Sequence, residues 1–126
     1  MLGFSLYPHH LKDKSQCTLE SFCEMIARTA DLMGVQHIGL GSDLCQDQPD
    51  SVVEWMRVGR WTKQIDYGEG SAAHAGFPEM PDWFQDNRHF DNIAAGLRAA
   101  GFSKDETYAI MGENWLRFYD ANFTAE

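Results

Sequence analysis

Apolar and small or polar residues alternate through Leu2-Gly3-Phe4-Ser5-Leu6-Tyr7, which predicts a short β-strand stopped by Pro8. The period then changes. Leu19, Phe22, Cys23, Ile26, Ala30 and Met33 recur at three- and four-residue spacing, the mark of a helix with one apolar face. Thr18 is its predicted N-cap, Glu20 suits the first turn and Gly34 supplies the stop. The next stretch, Val35 to Asp43, carries Ile38 and Leu40 among Gly34, Gly39 and Gly41. That apolar core is too short and too glycine-rich for a helix, and it reads as a strand buried on both faces of a parallel sheet. Strand, helix and strand form a βαβ unit, expected to have a right-handed crossover and parallel strands. The loops after both strands then share one sheet edge, which brings His9, His10 and Asp43 to one side of the molecule.

Downstream, Asp47-Gln48-Pro49-Asp50 opens a short amphipathic helix with Val52, Val53, Trp55 and Met56, ending near Gly59. A long segment from Arg60 to Trp83 follows, rich in Gly, Pro and aromatics. Loops of this length are lids or binding loops, or else disordered. Trp61, Tyr67, Phe77, Trp83 and Phe84 favour order. These rings either cover the end of a core or touch a ligand. Phe90, Ile93, Ala94 and Leu97 then form an apolar stripe closed by Gly101, and Ser103-Lys104-Asp105-Glu106 is a capping box. It opens a helix expected to bury Tyr108, Met111, Trp115 and Phe118. Gly112 and Asn114 are poor helix-interior residues, a sign of close packing or of a side-chain tie to a neighbouring loop.

With 126 residues, 44% of them hydrophobic, the chain has the size of one domain and forms a core if its elements close on themselves. Its 19 acidic against 10 basic residues argue against nucleic acid or an anionic membrane surface as partner. No apolar run approaches a membrane span and Met1-Leu2-Gly3-Phe4 lacks the basic start of a signal peptide, so a cytoplasmic location is expected. Cys17, Cys23 and Cys45 match no close-spaced metal pattern and read as reduced thiols. Cys45 either sees the cleft beside Asp43 or behaves as a small buried hydrophobe.

The chemistry-bearing candidates are few. Asp43 falls just past the C-terminal end of the second strand, where α/β folds place their reactive groups; the alternative is that Ser42-Asp43 opens a turn. His9 and His10, being adjacent, point to opposite sides, so at most one faces a site. A solvated loop pair is the other reading. His37 and His89 read as helix-flanking or surface residues, and His74 lies in the long loop.

The order of these elements, with His37-Ile38-Gly39-Leu40-Gly41-Ser42-Asp43 and Gly101-Phe102-Ser103 leading into Met111-Gly112-Glu113-Asn114-Trp115-Leu116-Arg117, resembles the C-terminal part of the renal (membrane) dipeptidase family of zinc peptidases. The resemblance runs from Gly3 to about Phe118. It implies an α/β chain forming the C-terminal portion of a (β/α)8 barrel within the amidohydrolase-like group, a single partial domain over residues 1–126. Leu2 to Tyr7 would be the seventh strand and Gln36 to Leu40 the eighth. Asp43 would match the aspartate that handles the zinc-bound water and its proton, and Tyr7 and His10 would fall near the substrate, a dipeptide or similar small amide. The family commonly continues Ser-Asp-Phe-Asp-Gly, whereas this chain reads Ser42-Asp43-Leu44-Cys45-Gln46. Its binuclear zinc ligands, a His-x-Asp, a bridging glutamate and two further histidines, would lie upstream of Met1.

A whole barrel of this type needs about 250 residues. The expectation is therefore a hydrolase part that supplies the strand-eight aspartate, holds no zinc centre alone, and pairs with the remainder of a barrel or with copies of itself. Two alternatives accompany it: a non-catalytic fragment that self-associates through strand edges, and a barrel acting on a non-peptide amide or ester.

Overall fold

The computed structural model describes residues 1–58, 65, 67, 71–73 and 75–123. Two strands, β1 (Leu2–Ser5) and β2 (Ile38–Gly41), pair in parallel with Leu2 opposite Ile38 and Ser5 opposite Gly41. Helix α1 (Leu19–Met33) connects them, so the strand-helix-strand unit and its parallel pairing are as the pattern predicts. Thr18 caps α1 by accepting the Ser21 N–H through Oγ1, and Gly34 ends it at φ 86°, a left-handed conformation that costs glycine little.

Both strands are shorter than the pattern suggests. β1 stops at Ser5 because the Ser5 hydroxyl accepts the Tyr7 N–H and Pro8 starts a 3-10 turn over Pro8–His10. Residues 36 and 37, expected in the second strand, belong instead to a 3-10 turn, Val35–His37, and β2 begins at Ile38.

One face of the pair carries the main core. Phe4, Ile38, Phe22 and Ile26 of α1, and Ile93 and Leu97 of α3 (Phe90–Ala99) are buried together with Phe84 and Ile110. Phe22 meets Phe4 edge-on, with ring centres 6.3 Å apart, and Trp83 at 5.2 Å. The indole N–H of Trp83 donates to the Cys17 carbonyl at 2.7 Å, so Trp83 and Phe84 resolve towards covering the core. Trp61, His74 and most of the stretch from 60 to 70 lie outside the described residues.

Helix α2 (Ser51–Val58) buries Val53 and leaves Val52 and Trp55 exposed. The carboxylate of Asp50, just before it, accepts the Phe77 N–H at 3.1 Å and packs against Gly76, where any Cβ would collide with it. That contact ties the aromatic loop to α2.

The last segment differs from the single helix expected. α4 (Lys104–Tyr108) starts with the predicted capping box, Ser103 and Glu106 exchanging side-chain and backbone hydrogen bonds. A π-helical turn at Ala109–Glu113, kinked at Gly112, then leads into α5 (Asn114–Phe123). The extra residue per turn rotates the face: Tyr108 is exposed rather than buried, while Ile110 and Asn114 turn inward.

Before α3, Arg88 forms a side-chain pair with Asp86, whose carboxylate also accepts the Arg88 N–H. These contacts hold the Asp86 carboxyl at about 2, below its ordinary 3.8. A carboxyl depressed on folding contributes stability above pH 3.8, and that contribution is lost as the pH falls towards 2. Carbon-detected NMR titration of Asp86 is expected to give a midpoint near 2, moving up towards 3.8 in Arg88→Ala.

Candidate functional site at the C-terminal sheet edge

Parallel pairing sends the exits of β1 and β2 to the same edge. From β1 come Ser5, Tyr7, His9 and His10; from β2 come Ser42 and Asp43. Asp43 is exposed and adopts a left-handed backbone conformation at φ 54°, two residues beyond Gly41. Aspartate tolerates that region better than most residues, so the strand exit is a sharp corner with a carboxylate on it.

On the β1 side the 3-10 turn folds the chain back. His10 N–H donates to the Tyr7 carbonyl at 2.9 Å, and His10 Nδ1 lies 3.0 Å from Ser5 Oγ. The Tyr7 ring, half-buried, sits 5.3 Å from that of His9 and 5.4 Å from that of His10. The topology therefore gathers the three sequence-derived candidates, Asp43, Tyr7 and His10, at one edge. Ser5 joins them: last in the strand and five residues before His10, it meets the imidazole only because the turn closes.

The other face of β2 is built by α5. Gly3 and Gly39 pair in register and face away from Phe4 and Ile38. There the Trp115 indole lies so close that a Cβ on Gly39 would fall 2.2 Å from its Nε1, and one on Gly3 would fall 3.0 Å from its Cζ2. The indole N–H donates to the Leu40 carbonyl at 2.9 Å. Asn114, 1% exposed, donates to the carbonyls of Val35 at 2.8 Å and Ile38 at 2.6 Å, and Arg117 donates to its side-chain oxygen. The tie expected of Asn114 is thus to the turn before β2 and to β2 itself, and it fixes the strand that carries Asp43.

Of the three cysteines, Cys17 and Cys23 are buried free thiols and Cys45 is exposed. Burial pushes the Cys23 thiol up to about 11, which makes it a poor nucleophile. Cys45, two residues past Asp43, is accessible rather than a buried hydrophobe. Among the described residues no three His, Cys, Asp or Glu side chains group closely enough to hold a metal ion. The zinc implied by the dipeptidase resemblance therefore has no ligand set among them. No described helix is long and apolar enough to cross a membrane.

Comparison with known proteins is informative at the level of fold. The chain matches no family model, and none of the curated proteins. Among solved structures it superposes on an amidohydrolase from Pseudomonas aeruginosa with a TM-score of 0.74 and 22% identity. The fold is amidohydrolase-like. The match covers 91% of this chain and 34% of the amidohydrolase, so the chain spans about a third of that protein's length.

Proposed function

We propose that this chain is the C-terminal portion of a (β/α)8 barrel hydrolase of the zinc dipeptidase-like kind, supplying the strand-eight carboxylate Asp43. The observation that carries the reading is the superposition of 91% of the chain on about a third of an amidohydrolase, together with a parallel β1–β2 pair whose exits bring Asp43 and His10 to the same C-terminal edge. In (β/α)8 enzymes that edge is where catalytic groups stand. The Asp43 carboxylate accepts a proton from the water that attacks the amide carbonyl and returns it to the departing amine. Tyr7 and His10 flank the substrate, a dipeptide or similar small amide. Zinc would have to be held by residues beyond those described, from the remainder of a barrel. The wider amidohydrolase likeness leaves a non-peptide amide or ester as the alternative substrate class.

A second reading draws on the surface. Leu2, Leu116, Tyr119 and Phe123 are 42%, 65%, 53% and 71% exposed, which fits a fragment that self-associates without catalysing anything.

The test is hydrolysis of unmodified dipeptides by the purified chain supplied with zinc. No turnover is expected from the chain alone, and substantial turnover would overturn the partial-barrel reading. In a completed barrel, Asp43→Asn is expected to lower kcat about a thousandfold, within the range for a lost general acid-base group.

A further inference from the structure

We propose that Ser5 and His10 form a nucleophile and general-base pair that accepts acyl groups from small activated esters, independently of any metal. The pair stands at the C-terminal end of β1, with Ser5 in register with Gly41, two residues before Asp43.

Three features distinguish it from a chance surface contact. His10 is fixed twice, its N–H on the Tyr7 carbonyl and its Nδ1 3.0 Å from Ser5 Oγ, and the turn that places it begins with the buried Pro8. Ser5 Oγ accepts the Tyr7 N–H at 3.1 Å, and with His10 in the tautomer protonated at Nε2 the Ser5 hydroxyl donates its proton to Nδ1. That same N–H favours negative charge developing on Oγ as the proton leaves. Finally, Ser5 is half-buried and His10 exposed, so a small ester reaches both. A serine hydroxyl hydrogen-bonded to a positioned imidazole is the minimal arrangement for covalent acyl transfer.

Water is the only co-reactant. Ser5 Oγ bonds to the ester carbonyl carbon while its proton passes to His10 Nδ1. The bond from the carbonyl carbon to the leaving oxygen breaks, and the departing alkoxide takes the proton from His10. Water then adds to the acyl-serine, gives its proton to His10, and Ser5 leaves with that proton restored.

The experiment treats the full chain with an alkyl fluorophosphonate and maps the adduct by peptide mass spectrometry, alongside the p-nitrophenyl acetate burst. A phosphonyl adduct on Ser5 is expected, absent in Ser5→Ala. In His10→Gln, a change at an exposed site, labelling slows about a hundredfold, the low end for a lost general base. Saturating 1,10-phenanthroline leaves the reaction unchanged, which separates it from the metal-dependent amide hydrolysis assigned to Asp43. Absence of labelling, an adduct on another residue, or equal labelling of Ser5→Ala or His10→Gln would overturn the proposal.

Discussion

Gly39→Ala is expected to destabilise the chain by about 3 kcal/mol, at the upper end of the usual cost of overpacking. The added Cβ would fall 2.2 Å from the indole nitrogen of Trp115 and 2.7 Å from its Cδ1, distances no relaxed structure holds. The ring cannot simply swing aside, because its N–H is bonded to the Leu40 carbonyl and its rim rests on Gly3. Gly3→Ala, with a 3.0 Å contact to the ring edge, is expected to cost clearly less. Urea unfolding of Gly39→Ala, Trp115→Ala and the double variant checks the argument. Much of the Gly39→Ala penalty should disappear when the indole is gone, giving a coupling of about 1 to 3 kcal/mol between the two sites. Additive effects would mean that Trp115 does not press on this glycine.

Asn114→Ala carries a comparable cost for the opposite reason, by removing rather than adding atoms. Its amide serves two backbone carbonyls 76 and 79 residues away in sequence, and its oxygen receives Arg117. Alanine leaves the part-buried carbonyl of Val35 and the buried carbonyl of Ile38 without this donor. Two lost hydrogen bonds at about 1 kcal/mol each, plus the desolvation penalty of a stranded carbonyl, sum to about 3 kcal/mol. Asn114→Asp tests the donor specifically, since it keeps the shape and the acceptor but has no N–H for either carbonyl. Urea unfolding is expected to rank Asn114→Asp with Asn114→Ala. A near-native Asn114→Asp would show that volume, not the two donated bonds, is what the site needs.

Local sequence signals are plainest where one residue type does one job. Thr18, Gly34, the Ser103 and Glu106 box and the parallel crossover unit follow from capping chemistry and hydrophobic period, and the structure has them. The shared edge of Asp43, Tyr7 and His10 is legible for the same reason, because it follows from parallel pairing alone. What is not legible depends on turns and contacts that exist only once the chain has folded. The π-helical turn that rotates Tyr108 outward leaves no distinct mark in the three- and four-residue spacing of Tyr108, Met111, Trp115 and Phe118, although Asn114 itself is legible as a tie. Gly39 looked like a strand glycine, and only the indole above it explains why a side chain is not tolerated there. Ser5 and His10 meet because a three-residue turn closes, which no pairwise spacing rule anticipates.

Under the proposed function, the chain's chemistry belongs to a barrel that β1 and β2 do not complete. Light scattering for the mass in solution, with metal analysis of the same sample, tests that most directly. A species without stoichiometric zinc that self-associates without a defined size is the predicted result, given a sheet of two strands among the described residues and the exposed Leu116, Tyr119 and Phe123. A discrete oligomer carrying stoichiometric zinc would contradict it, because copies of the chain would then complete one another's sites.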